Sequence, residues 1–136
     1  MAFLTFDKTY SVGIPFVDDQ HAGLFDALSE LRAAILKGQP HAVIGRLLQD
    51  LLAYTRSYFG AEEAMLAKAE YPGLGEHQKK HKLLTAQMAE CVEGYKRSDA
   101  ALSLHVINFL RDWLTSHILR EDRAFGAWLS QPAPRP

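Results

Sequence analysis

A single cysteine, Cys91, is all the thiol chemistry this chain offers. It excludes an intrachain disulfide and a thiolate-built metal site, and it fits a reducing compartment, so the cytoplasm is the expected location. Long hydrophobic runs are missing too: no window approaches the ~18 apolar residues of a membrane helix. The N-terminal MAFLTFDKTYSVGI also lacks the basic-then-apolar order of a leader, so no membrane association is expected. Charge of one sign is absent, with 15 Lys+Arg against 16 Asp+Glu and a formal net charge of -1. Without a basic field, nothing draws the chain to nucleic acid. Neither the period-two alternation of strands nor an internal repeat appears.

What the sequence does have is helical period. Its 136 residues suit one domain with its own core, and a monomer is expected. Residues 1–17, with Phe3, Phe6, Tyr10, Gly13, Pro15 and Phe16, read as an extended arm whose aromatics plug one end of the core. Asp18 or Asp19 is placed to cap a first helix through Leu24, Phe25, Leu28, Leu31 and Ile35, which Gly38 ends. A second helix starts at Pro40 and carries Ile44, Leu48, Leu51, Tyr58 and Met65 to the breaker Tyr71-Pro72-Gly73. A third spans Gly75 to Lys96. After a polar turn at Lys96–Asp99, a fourth runs through Leu102, Val106, Leu110, Leu114 and Ile118 nearly to Trp128. The expected fold is all-α, an up-down antiparallel four-helix bundle over 18–130 with the arm before it and a Pro-rich tail at 131–136.

Several metal-ligating residues fall on the apolar faces of these helices, where unpaired polar groups are costly to bury. His77 and His81 are four residues apart, about 40° around the helix axis, so both rings can reach one metal. His117 and Asp122 are five apart, which a regular helix would splay; a metal between them or a local distortion of the helix would explain the pair. Glu62 lies one turn beyond Tyr58, and His21 stands near the start of the first helix. Four histidines and two carboxylates from four helices fit the way bundle cores hold paired iron or manganese. His41 and His105 have no ligand partner and are assigned to structure or surface. Glu63 and Glu76 are read as solvated charges with a supporting role left open, and Cys91 as core packing.

The segments VGIPFVDDQHAGLF, YFGAEEAML, YPGLGEHQKKH and FLRDWLTSHILRED, in this order and spacing, resemble the bacterial hemerythrins along essentially the whole chain. The resemblance implies a diiron centre bridged by an oxo or hydroxo group, with manganese or a mixed pair as the variant loading. His77, His81 and His117 would hold one iron, His21 the other, and Glu62 and Asp122 would bridge them. Dioxygen would bind at the second iron, in a dry pocket of Phe59, Trp113, Leu114 and Ile118. The chain departs from the family at Tyr58, which stands where a second histidine of the oxygen-binding iron is expected. Tyr58 either coordinates as a phenolate, which would favour ferric over ferrous iron, or packs with its hydroxyl bonded elsewhere. No acid–base or nucleophile constellation accompanies the site, so no catalytic residue is named. A metal- and oxygen-binding protein is expected rather than a dedicated enzyme, serving oxygen storage, delivery or sensing. The alternative is a diiron redox enzyme that reduces dioxygen or peroxide with electrons from an unidentified donor. Because the chain ends soon after its fourth helix, no covalently attached output domain is expected.

Overall fold

The computed structural model describes Leu4, residues 6–97 and residues 104–131, the last stretch with side chains from residue 107 on. The expectations for Phe3, Ser98, Asp99, Leu102, the side chains of His105 and Val106, and the tail beyond residue 131 lie outside the described residues. Three helices, α1 (Pro15–Leu36), α2 (His41–Lys68) and α3 (Leu74–Arg97), are followed by a composite fourth rod. That rod joins α4 (Leu104–His117), one π-helical turn (Ile118–Asp122) and α5 (Arg123–Leu129). α1 lies beside α2 and α4, and α2 beside α3, the neighbour order of an up-down bundle. No strand occurs among the described residues, and none of their helices is long and apolar enough to cross a membrane.

The apolar stripes explain the association. Leu24, Phe25, Leu28 and Leu31 of α1 are buried, as are Leu48, Leu51, Phe59 and Leu66 of α2. Leu84, Met88 and Val92 of α3 join them, with Ile107, Leu110, Leu114, Ile118 and Phe125 of the fourth rod. Each such side chain contributes roughly 1.5–3 kcal/mol when removed from water, and a helix can cover its stripe only with its neighbours. Gly38 ends α1 in the left-handed conformation (φ 67°), which lets Gln39 N–H reach the Ala34 carbonyl at 3.1 Å. Glu70 does the same for α2 at φ 58°, with Tyr71 N–H on the Leu66 carbonyl at 3.0 Å. The second helix therefore stops before the Pro72-Gly73 breaker, at a residue whose side chain gave no such signal.

The arm departs from expectation in three ways. α1 begins at Pro15, with proline in its first turn, rather than at an Asp18 or Asp19 cap. The Asp18 carboxylate turns back to the arm, accepting from Ser11 Oγ at 2.6 Å and from Val12 N–H at 2.9 Å. Starting the helix there puts fully buried Val17 on the face shared with His21 and Leu24, and leaves Phe16 52% exposed rather than plugging the core. Phe6 and Tyr10 do close the core, edge-on to Phe25 at centroid distances of 5.6 and 5.0 Å. Lys8–Tyr10 form a short 3₁₀ turn, so the arm is not extended throughout.

The arm crosses the bundle so closely at Gly126 that a Cβ there would stand 2.1 Å from the Val12 carbonyl oxygen. Gly126→Ala is expected to push the arm off α5 and cost about 1–3 kcal/mol in chemical denaturation. Gly60 lies within α2 with no neighbour within 4 Å of an added Cβ. Gly60→Ala should instead stabilise by about 0.5–1 kcal/mol, and equal effects of the two substitutions would contradict the close arm packing.

Candidate metal centre

In an antiparallel bundle the early turns of α1 and α3 and the late turns of α2 and α4 share one end. His21 comes from α1, Glu62 from α2, His77 and His81 from α3, and His117 from the last residue of α4. Asp122 closes the π-helical turn that follows. In a regular helix, residues five apart point about 140° away from each other. One turn of i→i+5 winding brings them back onto one face, and Asp122 Oδ1 lies 3.0 Å from His117 Nε2. The distortion expected from the spacing is present and serves the site. All six side chains are buried, Asp122 completely.

The two oxygens of each carboxylate divide the donors into two groups. Glu62 Oε1 is 2.7 Å from His77 Nε2 and 3.2 Å from His81 Nε2, and Asp122 Oδ1 is 2.9 Å from His77 Nε2. His81 Nε2 and His117 Nε2 are 3.0 Å apart. Donors that share an octahedral cation at ~2.1 Å are separated by about 3 Å at neighbouring corners, so these five can surround one ion. The other oxygens face α1: Asp122 Oδ2 is 2.9 Å and Glu62 Oε2 3.5 Å from His21 Nε2. Three donors thus outline a second position beside the first, with both carboxylates spanning the two.

The donors fit cations better than they fit one another. Both Asp122 oxygens are buried without a properly aligned hydrogen bond despite the imidazole nitrogens about them. Lone pairs aimed between partners rather than at them are what a shared cation would satisfy. Electrostatics agree. Burial pushes the imidazoles of His21 and His77 down, but Asp122 and Glu62 outweigh it and raise both from the usual 6.5 to about 9. Burial would likewise raise Glu62, yet His21, His77 and His81 bring its carboxyl down to about 2. Asp122 is held well below the ordinary carboxylate range against its burial, by His117, His21 and His77. Two buried carboxylates demand positive charge, which protons on imidazole supply here and which metal ions supply more strongly.

Tyr58 reaches α1 beside the position of Gly23. Its ring is half-buried on the flank of α2 that faces α1, stacked on exposed Tyr54 at 6.3 Å. Its hydroxyl lies 3.2 Å from where a Cβ on Gly23 would stand, two residues past His21. Phe59 and Trp113 lie face to face with two of these imidazoles, Phe59 on His81 at 3.6 Å and Trp113 on His117 at 4.7 Å. Ile118 is fully buried, and Leu114 lines an apolar cavity of about 20 Å3. Leu24 and Leu28, Leu51 and Thr55, Leu84 and Met88, and Leu110 complete that lining, one turn and more from the donors. Thr55 spends its hydroxyl on the Leu51 carbonyl, so the cavity stays apolar. His41 stacks on Tyr95, Glu76 is exposed beside Lys79, and Cys91 packs half-buried against the core. Glu63, from sequence a solvated charge with a supporting role open, accepts from His81 Nδ1 at 2.8 Å. Glu121 sits 3.6 Å from His117 Nδ1. The four-residue step from His117 was the only signal for Glu121, and nothing in helical spacing marks Glu63.

Residues 12–129 match the family model of the hemerythrin HHE cation-binding domain. The chain is 29% identical over 131 residues to the bacteriohemerythrin of Methylococcus capsulatus, covering 96% of this chain and 99% of that one. It is 30% identical over 112 residues to the myohemerythrin of Riftia pachyptila, covering 82% of each. The crystal structure of a wild-type hemerythrin superposes with a TM-score of 0.89 at 28% identity, over 96% of this chain and all of that one. With a family model matched over residues 12–129 and the fold in agreement, the chain belongs to the hemerythrin family.

Proposed function

We infer that this chain holds two iron ions in its bundle core and binds dioxygen there. The observation that carries the inference is the division of donors by the two carboxylates, five around one position and His21 with the remaining oxygens at the next. A pair of iron ions supplies two one-electron couples, enough together for a two-electron exchange with dioxygen. Around it, His77, His81 and His117 would fill one ion's protein-facing positions, while His21 alone among the imidazoles would serve the other and leave it open. Phe59 and Trp113 cover two imidazole faces and keep water from them. The apolar cavity about one turn from the donors has room for about one water-sized guest, the scale of a diatomic. Membership in the hemerythrin family supports dioxygen as that guest.

Tyr58 is proposed as a further ligand of the His21 ion. It stands one turn before Glu62 on the flank that faces α1, and a glycine at position 23 leaves room for its hydroxyl. As a phenolate it would place a third anionic group at the site and favour the ferric state, weakening reversible carriage. That departure favours a second reading, reduction of dioxygen or peroxide at the same centre with an external electron donor.

Two outcomes test these readings. His21 and His77 gain protons on folding without metal, so their stabilisation is complete below pH 6.5 and is lost as pH rises through about 9. Metal takes the place of those protons. The melting-temperature gap between metal-loaded and metal-free protein should therefore widen from pH 6.5 to 9, and a constant gap would argue against metal at these imidazoles. The ferric protein should also show a visible phenolate-to-iron charge-transfer band with tyrosinate modes in resonance Raman. Tyr58→His should abolish both and slow autoxidation; an unchanged spectrum removes Tyr58 from the ligand set. Steady peroxide consumption above the rate of free iron, lost in Tyr58→His, would decide for the enzymatic reading.

A further inference from the structure

All four site imidazoles turn Nε2 inward, so what their outer nitrogens touch decides how strongly each donates. For His21 and His117 the outer Nδ1 is buried without a hydrogen-bond partner. Glu121 stands 3.6 Å from His117 Nδ1, beyond hydrogen-bond reach, and its other carboxylate oxygen is engaged by Lys80. His81 differs: its Nδ1 meets Glu63 Oε2 at 2.8 Å. The His81 side chain is 2% exposed and that of Glu63 26%, so water screens the contact far less than it would a surface pair. The ring is held on its face as well, where Phe59 stacks at 3.6 Å with 5° between planes.

We propose that Glu63 is a positioning residue of the metal centre, fixing His81 with its proton on Nδ1 and its lone pair on the inward Nε2, and making it a stronger donor than His21 and His117, whose outer nitrogens have no partner. A carboxylate on the far nitrogen excludes the tautomer that would present N–H to a cation, and it passes electron density through the ring. The consecutive glutamates of α2 thereby divide the work. Adjacent helical residues differ by about 100° in direction. Glu62 points into the bundle as a donor, while Glu63 points across the α2–α3 seam to hold the donor opposite. The ion nearest His81 would be the one held by three imidazoles, so Glu63 makes the two metal positions electronically unequal in a way the ligand list alone does not show.

The proposal rests on the diiron reading, and the test separates the two. Full-length protein and its Glu63→Gln, Glu63→Ala and Glu121→Gln variants would be loaded with iron, assayed for metal content and titrated for midpoint potential. Cobalt(II) affinity of the metal-free forms would be read by competition with a chelator. Glu63→Ala should weaken cobalt binding by about 10-fold or more and move the potential positive. Glu63→Gln keeps an acceptor but no charge and should fall between Ala and the native protein. Glu121→Gln removes the same charge from a carboxylate not bonded to its imidazole and should shift both quantities less than Glu63→Gln does. Equal shifts in Glu63→Gln and Glu121→Gln would reduce the effect to surface charge and overturn the proposal, as would an unchanged Glu63→Ala. Native protein that takes up no stoichiometric metal would sink the diiron reading itself, and this proposal with it.

Discussion

Glu62 and Asp122 place two carboxylates in the middle of an apolar bundle, and much of the site answers that fact. Each carboxylate costs several kcal/mol to take out of water, so the fold tolerates them only with positive charge and directed donors around them. Three helices supply those groups: His21 from α1, His77 and His81 from α3, and His117 from α4. The leucine layers could pack in several registers at similar cost. The carboxylates narrow the choice, since a one-residue slip of any helix would leave a charge buried without its partner.

The π-helical turn follows from the same demand. His117 and Asp122 must both face inward, and five residues of regular helix cannot do that. One widened turn rotates the rest of the rod, so that Phe125 and Gly126 in α5 meet the core and the arm at angles an unbroken helix would not give. The close passage of Val12 over Gly126 is thus linked to the metal end through a single distorted turn. Asp18, Ser11 and Arg123 then tie down an arm whose path is already set by that packing.

The site is lopsided. One side is dense with imidazoles, each supported by an aromatic face or edge. The side next to α1 has His21 alone, with Tyr58 and Gly23 beside it. Such a division suits a centre in which one ion is held and the other meets a ligand. Two glutamates adjacent in sequence sharpen the asymmetry, because only the imidazole opposite Glu63 has its outer nitrogen bonded to a carboxylate among the described residues.

The sequence by itself marked the four helices, the faces they bury and the six buried polar residues, because helical period and metal-ligand spacing are both local: His77 with His81, and a five-residue step from His117 to Asp122 that asked for a metal or a distorted turn. Helix ends were less legible. Pro15 rather than Asp18 begins α1, and a left-handed Glu70 ends α2, since both choices depend on what the arm and the next helix pack against. Only the tertiary structure decided that Phe16 faces water, that Asp18 serves the arm, and that Glu63 reaches His81 across the seam between two helices. These relations join residues whose separation in the chain carries no period. The direction of a side chain between neighbouring helices depends on their relative rotation, and that rotation exists only once the core has packed.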